Sequence, residues 1–256
     1  MEAAAAATTF GDPRNPPIVF LHGIRLGREI WIPHAAALER QYHVIALDLP
    51  GHGALADVPF TERNVADLLD DVIANIAGRP SLIVGYSLGG FVAMRHAARN
   101  PEQTAGLLLA DCTFDFEGWR WWPYGAWVNA AQHLPAAWLD AMQRLGLYAT
   151  LPHNWVDVVQ RIPFNRNVLL ETSEIVRSSR NALDEVASYR KPVSIVNGEY
   201  DLLFRLDEKR FLHRLPQARL QIMRGMDHAG PLRRIAEFTS IVEAFARRVF
   251  ATVPPT

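Results

Sequence analysis

The chain has 256 residues, 49 % hydrophobic and 21 % charged, with a formal net charge of −1. That suits one large globular domain with a sizeable core and room for an insertion. The near-neutral balance points away from nucleic acid and anionic membranes as partners. The single cysteine, Cys112, excludes an internal disulfide and fits a reducing, cytoplasmic setting. No apolar run is long enough to span a bilayer, and the alanine run at 3–7 is too short and follows Glu2 rather than basic residues, so it does not read as a signal peptide.

Residues 1–17 read as poorly ordered chain or an edge strand, with a turn at Gly11-Asp12-Pro13 and an extended entry at Pro16-Pro17. Ile18 to Leu21 is a buried strand that ends at His22-Gly23, and Arg25 to Arg40 follows as loop plus helix, with Trp31 and Leu38 facing the core. Val44 to Leu47 is the next strand, ending at Asp48-Leu49-Pro50-Gly51-His52-Gly53. Thr61 to Ala77 is a helix: Thr61 can cap it, and Val65, Leu68, Leu69, Val72 and Ile76 share one face. Ser81 to Gly85 is a strand, Leu88 to Arg99 a helix, and Ala105 to Ala110 another strand.

From 114 to 180 the strand–helix alternation is lost. Trp119, Trp121, Trp122 and Trp127 crowd together, Trp138 and Trp155 follow, and Pro123, Pro135, Pro152 and Pro163 break the segment into short helices. It reads as a helical cap inserted into a core made of 1–113 and 181–256. Most of its tryptophans are expected to glue the cap to the core, with Trp122 and Trp127 as candidates to line a substrate pocket together with Tyr86. Alternation then resumes: a strand at 192–196, a helix near 205–215, a strand at 218–223, and a final helix near 232–250 opened by Pro231.

Apolar strands alternating with helices imply a mostly parallel sheet covered on both faces, with active groups at the carboxyl ends of the strands. His22-Gly23, Asp48, Ser87 and Asp111 all fall at such ends. Ser87 is the centre of Gly85-Tyr86-Ser87-Leu88-Gly89, which fits G-x-S-x-G. The pentapeptide alone is weak, arising by chance about once in ten chains of this length. A strand before it and a helix after it are the context that makes it a nucleophile elbow: the serine sits at the tip of a sharp turn and the Leu88 N–H points to the same place.

A serine hydroxyl needs a base within hydrogen-bond reach, and the base needs a third group to hold its tautomer. Of the nine histidines, His22, His52 and His228 lie at strand carboxyl ends, and His228 follows both the serine and an acid, Asp201, which ends the penultimate strand region. The order Ser, Asp, His is the one expected for this architecture.

With His22-Gly23, DLPGHG at 48–53, GYSLG at 85–89, GEYD at 198–201 and Gly225-Met226-Asp227-His228, the chain resembles the α/β-hydrolase family from residue 16 onward. The resemblance implies an α/β-hydrolase fold with Ser87 as nucleophile, His228 as base, Asp201 as orienting acid, and the backbone N–H groups of Ile24 and Leu88 as the oxyanion hole. Such donors are worth roughly 3–4 kcal/mol each. Two departures stand out. Only about seventeen residues precede the His-Gly strand, which implies shortened or missing first strands, and Ala54-Leu55 stand where the family usually has a serine after GHG.

Other residues have blander readings. His22 and His52 are expected to hold their loops, Asp227 adjoins His228 too closely to orient its ring, Asp111 and Glu199 are weaker rivals to Asp201, and Cys112 is a packing residue. No metal-ligand spacing of the HExxH or CxxC kind and no glycine-rich phosphate loop is present, so no cofactor is implied. The expected activity is hydrolysis of small to medium hydrophobic carboxylic esters, a small-molecule substrate, through an acyl-enzyme. The alternatives are carbon–carbon bond hydrolysis or a lyase reaction with Arg120, Arg161 or Arg166 holding a carboxylate, and a slow-turnover ligand receptor.

Overall fold

A computed structural model describes residues 3–116, 121–151, 155, 166–178 and 182–251. Seven strands, β1 (Ala7–Phe10), β2 (Pro17–Leu21), β3 (His43–Leu47), β4 (Ser81–Tyr86), β5 (Thr104–Ala110), β6 (Val193–Gly198) and β7 (Ala218–Met223), form one sheet in the order β1-β3-β2-β4-β5-β6-β7. All neighbours are parallel except β1, which runs antiparallel along β3 from Ala7↔Leu47 to Phe10↔Val44. The N-terminal stretch is therefore an edge strand, preceded by a single helical turn, α1 (Ala3–Ala6).

The strands from β2 to β6 are buried at every position, as their continuous apolar character requires, whereas edge strand β7 alternates half-buried and exposed positions before the buried Met223. Helices α3 (Glu62–Asp71), α4 (Leu88–Arg99), α8 (Ala182–Val186) and α9 (Glu208–Arg214) cover one face. Helices α2 (Ile32–Leu38) and α11 (Ile235–Ala251) cover the other, where Trp31 is fully buried 4.9 Å from the Phe20 ring. Each buried aliphatic or aromatic side chain of these layers contributes about 1.5–3 kcal/mol of transfer free energy.

Several elements differ in detail from the sequence expectation. The helix expected over 61–77 is α-helical only to Asp71; Val72–Ala77 is a π-helical turn that stops at Gly78 in the left-handed region, φ 68°. Thr61 does cap it, its Oγ1 accepting the Asn64 N–H at 3.1 Å. The last helix is split into α10 (Gly230–Arg233), with Pro231 in its first turn, and α11. The departure from the family at Ala54 is absorbed by backbone: the Ala54 N–H donates to Asp48 Oδ2 at 2.9 Å.

Between β5 and β6 lie α5 (Trp121–His133), α6 (Ala136–Thr150) and α7 (Arg166–Ser178). Pro135 separates α5 from α6, and Pro123 sits in the first turn of α5, where a missing N–H costs nothing. Trp119, Arg120, Pro152, Arg161 and Pro163 lie outside the described residues, and Trp121 and Arg166 are described by backbone alone.

Candidate active site

The centre of the site is the turn from β4 into α4. Ser87 has φ 52° and ψ −116°, a conformation that side chains rarely adopt and that costs about 1–3 kcal/mol unless its surroundings enforce it. They do so by crowding. A Cβ on Gly89 would lie 2.4 Å from the Leu21 carbonyl oxygen, so only glycine lets the first turn of α4 pass this close to β2. The Ser87 N–H is held by the Ala110 carbonyl at 2.9 Å.

His228 comes from the loop between β7 and α10, and Asp201 from the loop after β6. The structure brings both to Ser87: His228 Nε2 lies 3.1 Å from Ser87 Oγ, and His228 Nδ1 lies 2.6 Å from Asp201 Oδ2. Asp201 is buried and His228 is partly open. With Nδ1–H donated to the carboxylate, Nε2 is left as the acceptor for the serine proton. Phe204, from the same loop as Asp201, stacks on the imidazole at 4.8 Å, and the Tyr86 ring packs against it from another side at 5.3 Å.

The rival acids are engaged elsewhere. Asp227 accepts the Ala229 N–H and pairs with Arg233 at 3.0 Å, and Glu199 accepts the Gly225 N–H at 2.7 Å. Asp111 is nearer the chemistry. It is fully buried with φ 48°, and its Oδ1 accepts the Gly198 N–H at 2.8 Å. Burial, with the nearby Asp201 adding to it, pushes its carboxyl well above the usual carboxylate range. Asp111, Asp201 and His228 offer ligand atoms within 4.8 Å of one another, but both His228 nitrogens already serve Ser87 and Asp201. A cation there would have to break the His228–Asp201 bond.

The other side of the site is the loop after β2. Gly23 rests against the serine, where an added Cβ would sit 3.3 Å from Ser87 Cβ. His22 and His52 stitch this loop to the one after β3. His22 donates from Nδ1 to the Gly23 carbonyl at 2.8 Å and accepts the Leu49 N–H on Nε2 at 3.0 Å. His52 donates from Nδ1 to the Pro50 carbonyl at 2.9 Å and accepts the Arg25 N–H on Nε2 at 3.2 Å. Each ring therefore needs one neutral tautomer, and burial lowers their pKa values to about 4 for His22 and about 3 for His52. Among the described residues no hydrogen bond takes up the Ile24 N–H, and the Leu88 N–H is one of the free donors at the start of α4.

Of the three residues expected to line a substrate pocket, Tyr86 is buried, with its hydroxyl donating to the His228 carbonyl at 2.8 Å. Trp122 is 74 % exposed and Trp127 is 37 % exposed, the latter stacking on Tyr124. Ala131, Leu139 and Leu169 of α5, α6 and α7 form a buried apolar cluster, and Ile24 of the loop after β2 packs against it. Sequence reasoning missed these, because an isolated leucine in an irregular helical stretch carries no positional signal. Phe204 was detectable in principle as the aromatic three residues after Asp201 in the same loop. Cys112 is buried, which pushes its thiol pKa well up and leaves it inert as a nucleophile.

A family model described as the Alpha/beta hydrolase family matches residues 18–240. The pimeloyl-(acyl-carrier protein) methyl ester esterase of Nitrosomonas europaea is 28 % identical over 90 % of this chain and 95 % of its own. The protein of the same name from Chromobacterium violaceum is 34 % identical, but over only 51 % of this chain and 52 % of its own. The solved structure of a thermophilic esterase from Thermogutta terrifontis superposes with a TM-score of 0.77 at 18 % identity, covering 95 % of this chain and 93 % of that one, and so shares the fold. A match over most of the length, on a sheet of this order with a serine at this turn, makes the chain a member of the alpha/beta hydrolase family.

Proposed function

We infer that this chain is a carboxylic ester hydrolase working through an acyl-enzyme on Ser87. The observation that carries the reading is the unbroken hydrogen-bond chain from Ser87 Oγ through His228 to Asp201. In this mechanism Ser87 Oγ attacks the acyl carbon while His228 Nε2 takes its proton. Asp201 holds the imidazole tautomer and balances the charge that forms. The carbonyl oxygen becomes an oxyanion, met by the N–H groups of Leu88 and Ile24. His228 then returns the proton to the departing alcohol, the C–O bond breaks, and a water deprotonated by His228 releases the acid and restores Ser87.

Helices α5 to α7 act in this reading as a cap over the serine, within the segment 114–180. Their inner apolar cluster with Ile24 favours small to medium hydrophobic acyl or aryl groups. The two curated relatives carry an ester hydrolase name, which supports the reaction type. No described helix is long and apolar enough to cross a membrane, and the lone, buried Cys112 accords with a cytoplasmic setting.

The test is release of p-nitrophenol from acetate, butyrate and octanoate esters by the wild type and Ser87→Ala. Robust turnover by the wild type, falling about 1,000-fold or more in the variant, supports the reading. Equal turnover in both contradicts it.

A further inference from the structure

We propose that Arg25 is a positioning residue that couples the cap to the oxyanion hole: it stands in a left-handed conformation beside Ile24, its backbone held by His52 of the core and its guanidinium by Asp140 of the cap. The inference rests on the reading of the Ile24 N–H as an oxyanion donor.

Arg25 has φ 58°, one of three non-glycine residues in the positive region among the described residues, together with Ser87 and Asp111. A side chain in that region persists only where its surroundings hold it there. Two tethers do so. The Arg25 N–H donates to His52 Nε2 at 3.2 Å, and the guanidinium donates to Asp140 Oδ1 at 2.8 Å across 115 residues of chain. The second Asp140 oxygen accepts from Arg144 Nε at 2.7 Å, so the carboxylate is fixed from the cap side. The Arg25 side chain is 10 % exposed and that of Asp140 is 25 % exposed. A pair this enclosed costs more to break than a surface pair, because breaking it leaves a guanidinium shut away from water.

The consequence for Ile24 follows from which peptide units are held. The Ile24 N–H belongs to the same rigid peptide plane as the Gly23 carbonyl, and that carbonyl is gripped by His22 Nδ1 at 2.8 Å. The next plane carries the Arg25 N–H and is gripped by His52. The donor therefore lies in the first of two consecutive planes anchored in the core, and Arg25 is the first residue beyond them. Adjacent cap residues meet adjacent loop residues: Leu139 belongs to the cluster on which the Ile24 side chain packs, and Asp140 binds Arg25. Displacing α6 would release both contacts together and let Arg25 leave its strained conformation. The seated cap then completes the fixing of an oxyanion donor that the core alone holds less firmly.

The coupling is tested by steady-state kinetics on p-nitrophenyl butyrate with Arg25→Met, Arg25→Lys, Asp140→Ala and the double variant R25M/D140A, with thermal melts on each. The proposal expects R25M and D140A each to lower kcat about tenfold while KM stays within about twofold, since an oxyanion donor acts in the transition state. The double variant should be no slower than the slower single one, and R25K should recover most of the loss. If R25M does not fold, D140A decides, since its substitution lies on the cap. Unchanged kcat in folded D140A, a change in KM alone, or losses that multiply in the double variant would overturn the coupling. Ser87→Ala separates the two claims: a dead S87A beside unaffected R25M and D140A rejects the coupling alone, whereas an active S87A rejects the site itself.

Discussion

The hydroxyl of Tyr86 donates to the backbone carbonyl of His228 across 2.8 Å, so the residue just before the serine anchors the loop that carries the histidine. Burial pushes the Tyr86 phenol well above its ordinary pKa, and it remains a donor throughout the range in which an esterase would work. Tyr86→Phe keeps the ring against His228 and Trp31 and leaves a buried carbonyl without its partner. The expected cost is about 1 kcal/mol, read as a kcat lowered roughly fivefold with KM little changed. Steady-state kinetics on one chromogenic ester measure both.

Acyl-chain selectivity should follow the buried cluster rather than the tryptophans. Leu169→Ala opens space beside Ile24 and should raise KM for the octanoate ester several-fold more than for the acetate. Trp122→Ala, at a 74 % exposed position, should leave kcat/KM for both esters within about twofold. Parallel kinetics on the two esters separate a wall residue from a surface one.

Stability should fall on the acid side through the buried histidines. His22, His34 and His52 have folded pKa values of about 4, about 4 and about 3, depressed by burial from 6.5. The unfolded chain binds protons at these rings below pH 6.5 and the folded chain does not. Their contribution is therefore complete above 6.5 and is lost as pH falls towards 4. Each ring removes up to about 1.4 kcal/mol per pH unit inside that window. The histidine contribution to the urea midpoint should be constant on the alkaline side of this window and drop steeply within it.

Asp111 works with the opposite sign. Its folded pKa is raised from 3.8 by burial and by Asp201, so the folded chain binds the extra proton and stability declines as pH rises through that interval. Asp111→Asn keeps an acceptor for the Gly198 N–H and removes the titration. Above the ordinary carboxylate value of 3.8 the variant should gain urea resistance over the wild type, by an amount that grows with pH.

The residues whose role depends on order along the chain were legible in the sequence. Ser87, Asp201 and His228 follow the ends of β4, β6 and β7, and the strand–helix alternation that places them is written in unbroken apolar runs such as Ile18–Leu21 and Leu82–Val84. What depends on the meeting of distant side chains was not legible. Arg25 looks like any loop arginine until α6 brings Asp140 to it, and Tyr86 carries no mark that its hydroxyl reaches a carbonyl 142 residues away. Which tryptophan of 114–180 faces in was not legible either: an aromatic in a helix without strong periodicity can face in or out, and Trp155 is buried while Trp122 is exposed. The split of the last helix at Arg234 was hidden because Pro231 signals where a helix starts and says nothing of where it breaks.

The most direct test of Ser87 as nucleophile is mass spectrometry after reaction with an alkyl p-nitrophenyl phosphonate, a mimic of the tetrahedral intermediate. The account expects one adduct per chain, carried by the peptide containing Ser87, absent in Ser87→Ala and formed far more slowly in His228→Ala. An adduct on another residue, or equal labelling of Ser87→Ala, would contradict it.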